Sequence, residues 1–171
     1  MNFFSGFSLC CEEVLFEEYL KKSKYTVSGF SLGAVRAFEY VENSTDRIDT
    51  LQLFSPAFFQ DMSSKFKRVQ TINYQKNSEL YEKQFLENIS YPSNHDMSSY
   101  FKKDSLKSLQ NLLEYKWHGS KLLAVKDRGI EIEVYLGGKD KIIDSKKVYE
   151  FFKNYARVYF IKEGGHILYP S

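Results

Sequence analysis

The stretch that decides the fold is Tyr25-Thr26-Val27-Ser28-Gly29-Phe30-Ser31-Leu32-Gly33-Ala34. Its first four residues predict a short strand, because β-branched residues favour extended backbone. The apolar spacing from Ala34 to Val41 predicts a helix. Between the two elements, Gly29 to Gly33 fit the pattern Gly-x-Ser-x-Gly. A sharp turn from strand to helix strains the backbone at its serine, and small residues make room for it. Gly29 and Gly33 are therefore predicted to form an elbow that presents Ser31.

Ser31 has two interpretations when this motif is taken alone. The free N–H groups at a helix N-terminus favour a developing negative charge beside a nucleophilic serine. The same short motif also occurs as a glycine-rich turn whose serine only caps the following helix. The choice between nucleophile and cap depends on which residues follow the other strands.

Strands and helices alternate around this motif. Asn2-Phe3-Phe4 predicts a strand before it, and Cys11 to Lys22 has the apolar spacing of a helix with acidic residues near its N-terminus. Further strands are predicted at Thr50–Phe54, Glu131–Leu136 and Arg157–Ile161, with a helix from Ser145 to Asn154. This alternation predicts an α/β protein with a mostly parallel sheet flanked by helices. The rhythm is interrupted from about 59 to 128, where the pattern is helical throughout.

Two further candidate residues follow predicted strands. Asp140 comes just after the strand that ends at Leu136, and His166 comes just after the last strand. Functional residues of open parallel sheets gather at such strand ends. Asp144 competes with Asp140, but its position directly before Ser145 is more typical of a helix N-cap. His95 and His118, the other two histidines, lie in the helical insertion. The order Ser31, Asp140, His166 is the order of a hydrolase triad.

Composition limits the class of protein. The chain has 171 residues and a formal net charge of +2, which predicts one domain and argues against a general nucleic-acid binder. Its two cysteines, Cys10 and Cys11, are adjacent, so a disulfide framework is excluded and a reducing compartment is favoured. No apolar stretch reaches the length of a membrane span, and no signal peptide is visible. We therefore expect a cytoplasmic protein without a metal site or a cofactor.

The quoted residues make the chain resemble the α/β-hydrolase superfamily. Within it, the chain is similar to the short pimeloyl-acyl-carrier-protein methyl ester esterases of biotin synthesis. The segments that carry the similarity are Phe3–Phe7, Leu15–Leu20, Val27–Ala34, Leu53–Pro56, Phe66–Arg68, Gly137–Ile142 and Phe151-Phe152. The resemblance implies a single domain over 1–171, with a truncated sheet of about six strands and a helical lid at about 59–128.

The resemblance also implies an activity and assigns roles to residues. The expected reaction removes the methyl ester from the ω end of a pimeloyl chain on acyl carrier protein and releases methanol. Ser31 would be the nucleophile, His166 the general base, and Asp140 the residue that orients His166. The oxyanion hole would use the backbone N–H groups of Phe7 and Leu32. Many relatives carry His-Gly before the first of these positions, whereas this chain has Ser5-Gly6.

The predicted lid has the composition expected of a surface for an acidic carrier. It holds 12 basic and 8 acidic residues, and this sign is complementary to acyl carrier proteins. The docking candidates are Lys65, Lys67, Arg68, Lys102, Lys103 and Lys107. Lysines on exposed helices are common, so a merely solvated face is the alternative. The aromatic residues of this region, some expected to line an acyl channel, are Phe58, Phe59, Phe66, Tyr74, Tyr81, Phe85, Tyr100, Phe101, Tyr115 and Trp117.

Two other functions remain compatible with the sequence. The same triad can hydrolyse a different acyl ester or a thioester. The fold can also survive as a non-catalytic binding module, although a complete Ser, Asp and His set argues against that. No nucleic-acid or membrane partner is expected.

Overall fold

Five parallel strands form one sheet, and they lie side by side in the order in which the chain forms them. The computed structural model describes all residues, 1–171. The strands are β1 Asn2–Phe4, β2 Thr26–Phe30, β3 Thr50–Phe54, β4 Glu131–Gly137 and β5 Arg157–Ile161. The α/β class is as predicted, and the sheet has five strands where about six were expected.

Six α-helices connect and cover the strands, as parallel neighbours require crossover connections. They are α1 Leu32–Asn43, α2 Ser64–Lys76, α3 Ser78–Ser90, α4 Leu106–Glu114, α5 Gly119–Asp127 and α6 Ser145–Phe152. Two short 3₁₀ turns span Glu12–Phe16 and Ser98–Tyr100. None of the helices is both long and apolar enough to cross a membrane.

The helix predicted from Cys11 to Lys22 is wrong beyond its first turns. Only Glu12–Phe16 forms a helical turn, after Cys11 in the left-handed region with φ of 61°. In the segment that follows, backbone groups hydrogen-bond to a side chain of the sheet. Gln52 in β3 donates to the carbonyl of Tyr19 (2.9 Å) and accepts from the N–H of Lys21 (3.0 Å). At the carbonyl of Tyr19 and the N–H of Lys21, these tertiary hydrogen bonds take the place of helical ones and end the turn there, so packing overrides the local pattern.

The central strands β2, β3 and β4 are buried on both faces, and their side chains alternate between the two. In β3, Leu51 and Leu53 face the larger core, which includes residues of α1, α4, α5 and α6. Phe54 faces the opposite side, where its ring stacks on Phe16 at 4.7 Å and on Tyr135 at 4.9 Å. The segment around Phe16 covers this second face, and α3 reaches it through Ile89.

The insertion between β3 and β4 divides into two parts. Helices α2, α3 and α4 pack together, with α2 contacting both of the others. Helix α5 instead returns to the body of the fold, where it contacts α1 and places Leu122 and Val125 in the larger core. Helices α2 to α4 therefore form a unit of their own, whereas α5 belongs to the body of the fold.

Candidate active site

Ser31 lies in the turn between β2 and α1, with φ of 54° and ψ of −114°. A non-glycine residue with positive φ is strained and persists only where its surroundings hold it. Here the N–H of Ser31 donates to the carbonyl of Phe54 (2.9 Å), and its own carbonyl accepts from the N–H groups of Ala34 and Ala57 (both 3.1 Å). The strained conformation of Ser31 is therefore fixed by backbone hydrogen bonds on both sides.

The two glycines of the motif lie where no side chain fits. A Cβ atom at Gly29 would overlap the carbonyl of Gly33. One at Gly33 would overlap the carbonyl of Phe4 at the end of β1. The close approach at Gly33 brings the loop after β1 against the start of α1. The Gly-x-Ser-x-Gly pattern thus sets both the shape of the turn and the position of the neighbouring loop.

Asp140 and His166 form a buried hydrogen-bonded pair. The Nδ1 atom of His166 lies 2.6 Å from Oδ2 of Asp140, and both side chains are fully buried. The other oxygen of Asp140 accepts from the N–H groups of Ile142 (2.7 Å) and Ile143 (3.1 Å). Because an ionised carboxylate only accepts hydrogen bonds, the proton of a neutral imidazole sits on Nδ1 and leaves Nε2 as an acceptor.

The predicted competitor Asp144 has a different place. Its side chain accepts from the N–H of Lys147 (3.2 Å) and caps α6, as the sequence suggested. Asp140, four residues earlier, contacts the histidine. The separate tasks of two nearby aspartates follow from their positions relative to the start of α6.

Ser31 and His166 are brought to the same end of the sheet. The ring of Phe30, the residue before Ser31, lies 4.9 Å from the imidazole of His166. The hydroxyl of Ser55 donates to the carbonyl of His166 (2.6 Å) from the strand end that also holds the N–H of Ser31. Both Oγ of Ser31 and Nε2 of His166 are buried without a hydrogen-bond partner. Such atoms are rare in folded proteins and are typical of reactive sites.

The two candidate oxyanion donors are the backbone N–H groups of Leu32, directly after Ser31, and of Phe7, in the loop after β1. Leu32 is the first residue of α1, so its N–H has no acceptor within the helix. Phe7 is fully buried in the loop after β1, and its N–H donates to no loop or side-chain acceptor. The neighbouring N–H of Gly6 donates to Oε1 of Glu12 at 2.7 Å. The loop therefore keeps the N–H of Phe7 free while its neighbour is bound.

Sequence reasoning missed two buried glutamates that bind this loop from other elements. Glu12 is fully buried, and burial raises the pKa of its carboxyl group, against the opposing effect of the hydrogen bond from Gly6. Glu82, 2% exposed in α3, accepts from the hydroxyl of Ser8 (3.1 Å). One sequence signal existed: Glu12 precedes Leu15 by three residues and Phe16 by four, so it shares their buried face.

A cavity of about 320 Å³ opens between α2, α3, α4 and the loops of the site. Phe7 lines it on one side, and Lys141 and Ile142, directly after Asp140, line it on another. Four of the predicted aromatic residues contribute to its wall: Phe59, Phe66, Tyr81 and Phe85. Burial raises the pKa of Tyr81 to about 12, so its hydroxyl stays protonated and donates to Gln70 (3.0 Å).

Other aromatic residues of the insertion hold the helices in place. Trp117 packs on Phe38 (5.2 Å) and Phe152 (5.0 Å), and its indole N–H donates to the carbonyl of Ala57 (2.8 Å). Tyr74 of α2 is buried against the segment before α4, and its hydroxyl donates to the carbonyl of Asp104 there (2.6 Å). The aromatic residues of this region thus divide between lining a cavity and packing.

The basic docking candidates do not form one patch. Lys67 is only 8% exposed and pairs with Glu114 (3.2 Å), so it is removed from the set of free surface cations. Lys65 and Arg68 are exposed near the start of α2. Lys102, Lys103 and Lys107 are exposed near the start of α4. Lys67, between Lys65 and Arg68, binds Glu114 at the end of α4, whereas Lys107 lies near its start, so about 10 Å of helix rise separates the two groups.

The fold is the α/β-hydrolase fold, with a strand–elbow–helix unit and a covering helical insertion. Three solved structures have it as well. The hydrolase olei00960 from Oleispira antarctica has a TM-score of 0.64 and 15% identity, over 83% of this chain and 58% of that one. The esterase EaEST from Exiguobacterium antarcticum has a TM-score of 0.62 and 19% identity, over 91% and 63%. BioG from Haemophilus influenzae has a TM-score of 0.59 and 12% identity, over 97% and 87%.

These similarities define the fold, and the identities are too low to define more. No protein-family model matches the sequence, and no curated protein matches it either. The chain spans less than two thirds of the length of the first and second of the three structures, and most of the length of BioG.

Proposed function

We propose that this protein is a serine carboxylesterase that hydrolyses the methyl ester of pimeloyl-acyl-carrier protein. The observation that carries the proposal is the strained Ser31 at the same sheet end as the buried Asp140–His166 pair. An apolar cavity is reached from this site through Phe7, in the loop after β1, and Ile142, two residues after Asp140. The likeness to BioG supports the narrower assignment, because the two chains agree in fold over nearly their whole lengths.

The proposed mechanism assigns one task to each group. Ser31 Oγ attacks the ester carbonyl while Nε2 of His166 takes its proton, and Asp140 stabilises the resulting imidazolium. The N–H groups of Phe7 and Leu32 stabilise the negative charge on the carbonyl oxygen. His166 then protonates the departing methanol, leaving an acyl-enzyme. Water, activated by the same histidine, releases the free carboxylate and restores Ser31.

The cavity supports a linear acyl substrate. At about 320 Å³ it lies at the small end of the range for ligand sites, and nine of its fourteen lining residues are hydrophobic. We propose that α2 to α4 act as the lid, with the acyl chain held between them and the reacting ester at Ser31. An unbranched chain buries methylene groups there at little steric cost.

The test of the substrate is a side-by-side assay of the wild-type protein. We expect higher kcat/KM for carrier-bound pimeloyl methyl ester than for p-nitrophenyl butyrate or an acyl thioester, since only the first engages both cavity and carrier surface. Comparable turnover of all esters would support a general esterase, and preference for the thioester a thioesterase. Failure of the folded protein to react with a fluorophosphonate would favour a binding module.

The carrier-docking surface has its own test. We expect Lys65→Glu with Arg68→Glu to lower kcat/KM for the carrier-bound ester about tenfold, because exposed charges mainly control association with an oppositely charged partner. Turnover of p-nitrophenyl butyrate should change less than about twofold.

The matched control is Arg36→Glu with Lys126→Glu, which makes the same charge change on exposed positions of α1 and α5. A second pair, Lys102→Glu with Lys103→Glu, reports whether docking uses the other end of the lid. Equal loss on the carrier-bound and the free ester would contradict docking at the altered positions.

A further inference from the structure

Glu12 is placed to control the loop that carries one oxyanion donor. It is fully buried, and its Oε1 accepts the N–H of Gly6 at 2.7 Å, one residue before Phe7. Within residues 5–7 this is the only hydrogen bond that a backbone N–H donates. Oε2 of Glu12 has no partner and is also buried. A carboxylate is costly to bury, so its retention here points to a specific task.

The rest of the loop is anchored after Phe7. Ser8 accepts from the N–H of Lys102 through its carbonyl (3.1 Å) and donates to Glu82 through its hydroxyl (3.1 Å). The N–H of Cys10 donates to the carbonyl of Tyr100 (2.8 Å). On the other side, β1 ends at Phe4. Between that strand end and Ser8, the contact of Glu12 with Gly6 is the only polar anchor of the backbone.

We propose that Glu12 is a positioning residue for the oxyanion hole, holding the N–H of Gly6 so that the N–H of Phe7 faces the reacting carbonyl. This inference rests on the proposed function, because it assigns a task within that reaction. The N–H of Gly6 belongs to the Ser5–Gly6 peptide, and the N–H of Phe7 belongs to the next one. Fixing the first peptide by its hydrogen bond to Glu12 restricts the orientation of the second. Without an acceptor at position 12, the Ser5–Gly6 peptide can rotate, and the N–H of Phe7 no longer points at the reacting carbonyl.

The chemistry of this site predicts which substitutions preserve it. Glutamine keeps an acceptor oxygen at the same distance along the side chain, so Glu12→Gln retains the hydrogen bond to Gly6. Alanine removes the acceptor. Aspartate keeps the charge but shortens the side chain by one methylene, which moves the acceptor away from Gly6. Glu13, half-buried and without a side-chain hydrogen bond, provides the matched control.

The experiment combines steady-state kinetics with amide hydrogen exchange. With p-nitrophenyl acetate, we expect Glu12→Ala to lower kcat about 100-fold with KM within about threefold, the size of effect seen when one oxyanion donor is lost. Glu12→Gln should stay within about fivefold of wild type, and Glu13→Ala should equal it. The amide of Gly6 should exchange slowly in the wild type and in Glu12→Gln, and rapidly in Glu12→Ala.

The outcomes separate this proposal from the proposed function. Wild-type kcat in folded Glu12→Ala, or equal damage from glutamine and alanine, would overturn the positioning role. If Glu12→Ala does not fold, Glu12→Asp decides, since full kcat in that variant would also overturn it. Hydrolysis of p-nitrophenyl acetate without hydrolysis of the carrier-bound ester would overturn the substrate proposal alone. An inactive wild type would overturn both, even if Gly6 were protected.

Discussion

Ser31→Ala is expected to lower kcat for ester hydrolysis by at least about 10⁴-fold, because loss of the nucleophile removes the covalent route altogether. The residual rate would come from the oxyanion donors and from substrate binding, which remain. Binding should change little, since the hydroxyl makes no hydrogen bond in the folded protein. Initial rates with carrier-bound pimeloyl methyl ester and with p-nitrophenyl butyrate measure the effect on both substrate classes.

The control for this variant is Ser120→Ala, an exposed serine on α5, which should keep wild-type activity. A fluorophosphonate should label wild-type protein at Ser31 and leave Ser31→Ala unlabelled. The thermal midpoint of Ser31→Ala should match or exceed that of the wild type, because a buried unpartnered hydroxyl is lost and alanine keeps the same backbone strain. Retention of ester hydrolysis by the folded variant would show that Ser31 is not the nucleophile.

The elbow and the strands were predictable because their signals are local. The Gly-x-Ser-x-Gly pattern depends on sterics within five residues, and the structure places carbonyl oxygens where side chains at Gly29 and Gly33 would lie. The prediction of Thr50–Phe54 as a strand matches β3 at both ends. Asp140 and His166 follow strand ends that parallel topology must bring to one edge. Their 2.6 Å contact therefore follows from chain order and sheet direction.

The wrong or missing predictions depend on partners distant in sequence. The segment after Phe16 has helical spacing, but Gln52 binds its backbone instead. Lys67 looks like a surface cation until α4 places Glu114 beside it. Glu12 was counted only as a favourable acid near a helix start, and its inward turn depends on the loop after β1. Composition patterns treat charged residues as exposed, so buried charged contacts are what they miss.

Asp140→Asn is expected to lower kcat about 10³- to 10⁴-fold with little change in KM. The asparagine oxygen can still accept the N–H groups of Ile142 and Ile143, so the turn before α6 and the fold should persist. The amide nitrogen then replaces Oδ2 and donates to Nδ1 of His166. A histidine that accepts at Nδ1 carries its proton on Nε2, and that atom can no longer take the proton of Ser31. Steady-state kinetics with p-nitrophenyl butyrate measure the loss.

Asp144→Asn makes the same chemical change four residues away and provides the control. Asparagine and aspartate are about equally good N-caps, so the start of α6 and the activity should both be preserved. A comparable loss in the two variants would attribute the effect to disturbance of this loop. Full activity in Asp140→Asn would mean that the buried pair with His166 has no catalytic part. A large loss confined to Asp140→Asn requires a carboxylate at this atom, because the two amide variants leave the backbone hydrogen bonds of the segment intact.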